Sequence, residues 1–169
     1  MPTVFFLNGP NANLHGLDAG ETSGREDFPT IVARCHRAAE GAGLLLDFRQ
    51  TNDEGQLIDW VQEARTAADG LLIDATSLSH TSIAIMDALL MLDCPVIEVH
   101  LSNIHRRAPF RHRTFTSLAA TASLCGLGPR GYALAIGAMA GLIAAGRRTE
   151  SDVAARKQPI RASQASRPW

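Results

Sequence analysis

The sequence predicts an α/β protein, a parallel sheet with helices on both faces. Three observations predict it. A short continuous apolar run stands at 4–7, as a strand buried on both faces requires, and 44–49, 70–74 and 95–100 read as further strands. Between them, 28–42, 54–68 and 83–92 carry apolar residues at helical spacing. Polar residues gather just after the runs. Strands alternating with helices imply crossover connections and a sheet covered on both sides.

The elements follow in order. Val4-Phe5-Phe6-Leu7 stops at the turn signal Asn8-Gly9-Pro10-Asn11. The stretch 14–27 has three glycines and no periodicity, and reads as a lid. The first helix shows Ile31, Val32, Cys35, Ala38 and Ala39, and ends at Gly41 and Gly43. The second shows Leu57, Ile58, Val61 and Ala64. The third strand, 70–74, leads into a Ser/Thr-rich loop at 76–82, where Ser79 or Thr81 is expected to cap the next helix. The fourth strand runs into the polar loop 102–112. The Ala-rich segments 117–125 and 132–145 are expected to be helices. From 147 onward Arg, Lys, Ser, Gln and Pro replace the periodicity, so residues 1–146 form one domain and 147–169 a disordered tail.

Composition narrows the function. With 169 residues and a formal net charge of -1, no basic field draws in nucleic acid. No apolar run reaches the roughly 20 residues that span a bilayer. The first seven residues are too short, and lack the basic flank, for a signal peptide. Cys35, Cys94 and Cys125 are far apart and odd in number, the pattern of reduced core thiols in a cytoplasmic protein. There is no glycine-rich phosphate loop and no His/Cys set at ligand spacing, so no cofactor and no metal are expected. The expected partner is a small molecule.

Parallel sheets bind ligands beyond the carboxyl ends of their strands. Those ends are 8–13, 51–54, 74–80 and 100–105, and they hold most of the notable polar residues. Glu98 and His100 are two apart on a strand and so face the same side. A carboxylate beside an imidazole fixes its tautomer and raises its pKa, which makes either a general acid or simply a capped buried histidine. Ser102 and Asn103 form either an anion cradle or an ordinary turn. Arg106, Arg107, Arg111 and Arg113 form either an anion clamp or a solvated basic loop. His80 is a ligand contact or a residue at the start of a helix. Asn8 and Asn11 can hold a water or an oxyanion, while Gly9 and Pro10 alone make a rigid turn.

Taken together, the segments resemble the type II 3-dehydroquinate dehydratases. Leu7-Asn8-Gly9-Pro10-Asn11 with Asn13-Leu14 resembles that family's opening motif. Phe48-Arg49-Gln50-Thr51-Asn52 with Glu54-Gly55 resembles its second, and His80-Thr81-Ser82 with Asp87-Ala88 its third. Glu98-Val99-His100-Leu101-Ser102-Asn103-Ile104-His105 with Phe110-Arg111 resembles its fourth. Gly126-Leu127-Gly128 with Gly131-Tyr132 resembles the start of its closing helix, so the likeness covers about 3–145.

The resemblance implies a flavodoxin-like fold, trimers assembled into a dodecamer, and anti elimination of water through an enolate. By position, Asn11 would hold the water that stabilises the enolate. His100, oriented by Glu98, would protonate the departing hydroxyl. Leu101 and Ser102 would bind the substrate carboxylate, His80 and Arg111 ring hydroxyls, and Asp87 would reach a neighbouring subunit's site.

Two lid positions depart from the family. Asp18 stands where the resemblance calls for an arginine, and Ser23 where it calls for the tyrosine base. A serine hydroxyl with no adjacent base is too weak an acid to supply the oxyanion. Asp74 replaces an asparagine that contacts ligand, and would repel a carboxylate there. The acid half of the site is kept and the base half is altered. The expectation is a diverged lyase or hydrolase acting on a small polar substrate, with the 3-dehydroquinate reaction weak or lost. A dehydratase with a substitute base such as Asp18 or Glu21, and a non-catalytic binding protein, are the alternatives.

Overall fold

The computed structural model describes residues 1–17 and 26–145. Asp18, Glu21, Ser23 and the 147–169 tail therefore lie outside the described residues.

Five strands form one parallel sheet: β1 (Thr3–Asn8), β2 (Leu45–Gln50), β3 (Gly70–Asp74), β4 (Val96–His100) and β5 (Ala122–Cys125), in the order β2-β1-β3-β4-β5. The helices are α1 (Phe28–Gly41), α2 (Glu54–Ala67), α3 (Ile83–Leu90), the single turn α4 (Thr116–Ala119) and α5 (Arg130–Ala144). This is the flavodoxin-like order, and its switch point lies between β1 and β3.

The strand periodicity of two decides which helices each side chain meets. Phe5, Leu7, Leu71 and Ile73 pack with Leu57 and Val61 of α2 and Ile85 and Leu89 of α3. Val4, Phe6, Leu72, Ile97 and Val99 pack with Ile31 and Cys35 of α1 and Ile136 and Met139 of α5. The sheet is thus apolar on both faces, which explains why Val4-Phe5-Phe6-Leu7 reads as an unbroken hydrophobic run.

Side-chain caps start the helices. Asp27 accepts a hydrogen bond from the Thr30 N–H and Asp53 from the Gln56 N–H, which fixes the first turns of α1 and α2.

Four expectations change. The 117–125 segment is not a helix: after one turn at α4 it becomes β5, whose Ser123 pairs in register with Glu98. Neither Ser79 nor Thr81 caps α3; the Ser82 hydroxyl does, accepting from the Ile85 N–H at 2.9 Å. Cys35 and Cys94 are buried thiols, but Cys125 on the edge strand is only half-buried. Residues 76–80 of the expected loop form a turn of 3-10 helix.

Candidate active site

The β1 and β3 ends are drawn together at the switch point. The Gly9 N–H donates to the Asp74 carbonyl at 2.8 Å. A Cβ at Gly9 would sit 2.5 Å from the Ala75 carbonyl oxygen, closer than any side chain tolerates, so only glycine permits this approach. On either side of the junction, Asn11 and Thr76 adopt left-handed backbone at φ 66° and 51°. Asparagine enters that region readily. Threonine does not, and its strain of roughly 1–3 kcal/mol must be held by neighbours. Thr76 is held by two hydrogen bonds, from its N–H to Asp74 Oδ1 and from its hydroxyl to the Pro10 carbonyl. The Asn11 N–H is fixed by Asn52 Oδ1 at 3.0 Å, from the loop after β2.

These loops frame a cavity of about 580 Å³. Its walls include Asn11 and His15 from the β1 side, Asp74, Thr76 and His80 from β3, and His100, Leu101, Ser102, Arg107 and Arg111 from β4 and the following loop. Of the expected site residues, the structure brings Asn11, Asp74, His80, His100, Leu101, Ser102 and Arg111 to this one cavity. Glu98 stands behind His100. Asp87 does not line the cavity; it is exposed on α3. Asp18 and Ser23 lie outside the described residues. Arg106 and Arg113 are not among the lining residues, whereas Arg107 is, with its guanidinium donating to the Ser102 hydroxyl at 3.1 Å.

Glu98 and His100 form a buried pair, 1% and 6% exposed, with Oε1 and Nε2 3.1 Å apart. The contact is an ion pair rather than an in-line hydrogen bond, since the ring N–H does not aim at the carboxylate. The Glu98 carboxylate is well supplied with donors: Oε1 accepts from the Thr116 hydroxyl of α4, and Oε2 from Ser123 of β5 at 2.8 Å. Burial alone would raise Glu98, but His100 and the surrounding hydroxyls outweigh it and bring the carboxyl down to about 2. For His100 burial opposes the charge, while Glu98 and the more distant Asp74 carboxylate favour it and leave the imidazole above its ordinary value. The result is a buried carboxylate beside an imidazole whose charged form it favours, facing a cavity, an arrangement that suits a general acid.

His80 behaves in the opposite way. Its ring stacks on His100 with centroids 5.9 Å apart and planes 24° from parallel. Burial holds it below the ordinary imidazole value, and the positive charge of His100 and Arg111 pushes the same way. Its Nδ1 lies 2.7 Å from the Arg113 carbonyl, which can only accept, so Nδ1 carries the hydrogen and the neutral ring leaves Nε2 as an acceptor.

Asp74 is buried on the other face of the sheet from Glu98. Its Oδ1 accepts from the Thr76 N–H and its Oδ2 from the Tyr132 hydroxyl at 2.8 Å. Burial, then the Asp74 charge, push the fully buried Tyr132 phenol well above its ordinary value, so it serves as a donor and not as a base.

The sequence reading passed over His15 and Thr76. His15 stands at the end of the opening motif, and a histidine in the loop after a strand was the available signal. Thr76 gave none, because left-handed backbone at a threonine is not readable from composition. Among the described residues no group of three His, Cys, Asp or Glu is placed to hold a metal, and no helix is long and apolar enough to cross a membrane.

The sequence and the fold both have known counterparts. The 3-dehydroquinate dehydratase of Methylobacterium radiotolerans is 51% identical over 134 residues, covering 79% of this chain and 90% of that protein. The 3-dehydroquinate dehydratase 2 of Pseudomonas aeruginosa is 47% identical over 134 residues, with the same two coverages of 79% and 90%. The type II dehydroquinase from Propionibacterium acnes superposes with a TM-score of 0.80 at 35% identity, covering 83% of this chain and 97% of that one. A 3-dehydroquinate dehydratase-like protein from Bifidobacterium longum superposes at 0.64 with 27% identity, covering 85% of this chain and 99% of that one. The family description Dehydroquinase class II matches residues 2–140. With that match spanning most of its length, and the cavity at the flavodoxin-like switch point, this chain belongs to the class II dehydroquinase family.

Proposed function

We propose that the chain is a lyase that removes water from a small polyhydroxylated keto acid, and that 3-dehydroquinate itself is turned over slowly. The buried Glu98–His100 pair facing the cavity carries this reading. A binding protein has no need of an imidazolium held charged above its ordinary value, whereas the departure of a hydroxyl requires a proton. Asn11, fixed by Asn52, would steady the enolate oxygen through a water. Ser102 and the Leu101–Ser102 backbone would take the substrate carboxylate, with Arg107 ordering the Ser102 hydroxyl. His80 and Arg111 would take ring hydroxyls.

The slow rate is argued from the sequence. Ser23 and Asp18 replace the base and its activating cation, and a positioned general base contributes about 10²- to 10⁴-fold. Asp74 adds negative charge beside the cavity, which disfavours an anionic substrate. Its remaining lone pairs suit a donor group on the ligand. The test is 3-dehydroshikimate formation by the parent and by Ser23→Tyr, Asp18→Arg and Asp74→Asn, singly and combined. The parent should run far below ordinary family turnover. The folded triple variant should exceed it by at least about tenfold, while each single change is nearly silent, because the base is useless without its cation. A parent already as fast as ordinary members, or a folded triple variant no faster than the parent, removes the slow-substrate reading.

We also propose a homo-oligomer built from trimers, with Asp87 completing a neighbour's cavity. Asp87 is exposed on α3 between Ile83 and Met91, which are 54% and 63% exposed and lie one turn away on either side. An apolar stripe with a carboxylate at its centre suits a subunit contact better than water. Light scattering should give a mass of three chains or a multiple of three. A stable monomer at micromolar concentration would refute it.

A further inference from the structure

Among the described residues that line the cavity, Asp74 supplies the only carboxylate. It sits at the end of β3, 4% exposed, and is fixed from three sides. The Thr76 N–H donates to Oδ1 at 3.0 Å, and the Tyr132 hydroxyl of α5 donates to Oδ2 at 2.8 Å. Its main-chain carbonyl accepts from the Gly9 N–H of the turn after β1. The next turn is locked as well, since Thr76 takes its left-handed backbone with its hydroxyl on the Pro10 carbonyl. Strained backbone of this kind persists only where its surroundings fix it, and it clusters at ligand sites. A carboxylate offers about four lone-pair positions, so Thr76 and Tyr132 leave two. Neither of those donors carries a charge, so neither cancels that of the carboxylate. Its field reaches His100, where it adds to that of Glu98. Negative charge beside a cavity favours a cationic donor and works against a second anion. Arg107 and Arg111 come from a different element, the loop after β4. The lining thus carries charge of both signs on separate elements. A zwitterion answers both, whereas a ligand whose only charge is a carboxylate answers one.

We propose that Asp74 is an ammonium subsite, and that the ligand class of this cavity is a small cyclic amino acid, a hydroxylated acid in which an amine stands in place of one hydroxyl. The inference rests on the reading above for the acid end, which Leu101 and Ser102 would hold, and it adds the group at Asp74. The ammonium N–H groups would take the two remaining lone-pair positions of the carboxylate. Asp74 acts here by binding alone, and no bond is made or broken at it.

Matched pairs of ligands test it. The cis and trans isomers of 3- and 4-aminocyclohexanecarboxylic acid, each against the corresponding hydroxy acid, are titrated calorimetrically into the full chain at neutral pH. The members of a pair share their size and their carboxylate and differ in one group. At least one amino acid should bind about tenfold or more tightly than its hydroxy partner, because a hydrogen bond between charged groups exceeds a neutral one. In Asp74→Asn that preference should fall to within about threefold. Asparagine keeps an oxygen for the Thr76 N–H, so the variant should fold, which a thermal melt checks, and the parent's own preference is a test that needs no variant. Equal binding within every pair, binding of none of the amino acids, or a preference unchanged in folded Asp74→Asn overturns the subsite. Equal binding is also what the parent would show if another part of the chain already neutralised Asp74. Formation of 3-dehydroshikimate from 3-dehydroquinate by the same preparation keeps the two readings apart. Dehydration without an amine preference removes the subsite and leaves the lyase reading. An amine preference that depends on Asp74, without dehydration, leaves the subsite and counts against the lyase reading alone.

Discussion

His100→Asn is expected to lower kcat for elimination by about 10²- to 10⁴-fold with a much smaller change in KM. On the proposed reading the imidazole gives its proton to the departing hydroxyl, so its work would be done in the transition state. Asparagine fills similar space and can still donate a hydrogen bond, but it cannot transfer a proton at neutral pH. The pH profile gives the second reading. As the proposed acid, His100 would act as the imidazolium, so the rate should fall as pH rises through its value. Because Glu98 and Asp74 hold that value above the ordinary 6.5, the alkaline limb should lie above 6.5 as well. Glu98→Gln removes the nearest anion, and burial then dominates. The limb should move to lower pH, and the rate at neutral pH should fall without any change in the groups that touch substrate. A His100→Asn variant with parental kcat, or a Glu98→Gln limb at the parental pH, would show that the proton comes from elsewhere.

How much of this could be read in the sequence depends on whether a contact is local. The β1, β3, α1 and α2 spans were legible because their signals are local. Val4-Phe5-Phe6-Leu7 is buried on both faces, and Leu57, Val61 and Ala64 repeat at helical spacing on one face. The β5 strand was not legible. Ala122-Ser123-Leu124-Cys125 is Ala-containing and sits at the sheet edge, with its first half exposed, so no alternation marks it. What makes it a strand is its partner, β4, some 25 residues earlier in the chain (Glu98 against Ser123). Ser123 then donates to Glu98, so the same misread segment also hid part of the acid's support.

The site divides along the same line. Glu98 and His100 could be paired from a spacing of two, because a strand places such residues on one side. The Asp74–Tyr132 hydrogen bond spans 58 residues and has no local trace. The α3 cap turned on three neighbouring hydroxyls. Ser82 takes the role because Ser79 and Thr81 belong to the preceding 3-10 turn and its end.

The same buried pair should make stability depend on pH in two directions, and the sign of each follows from its shift. Glu98 lies at about 2 when folded against an ordinary value of 4.5. Its contribution is therefore present above 4.5 and is lost as pH falls through about 2. The gap corresponds to something on the order of 3 kcal/mol, shared with His100 because one contact produces both shifts. His100 is raised above 6.5, so its share is complete below 6.5 and is lost as pH rises through the folded value. His80 adds a slope of its own. Held below 6.5, it favours the folded state above that value and withdraws the stability as pH falls through its folded pKa. The raw curve therefore mixes opposing terms, and the difference between parent and Glu98→Gln isolates the pair. That difference in unfolding free energy, measured by urea titration, should be largest between about 4.5 and 6.5 and shrink on both sides. Glutamine retains an oxygen for Thr116 and Ser123, so the hydroxyl network is only partly disturbed and the lost term is mainly the charge. A difference that does not shrink on either side of that window would mean that Glu98 and His100 are not ionised together in the folded protein, and that the pair is assembled in some other way.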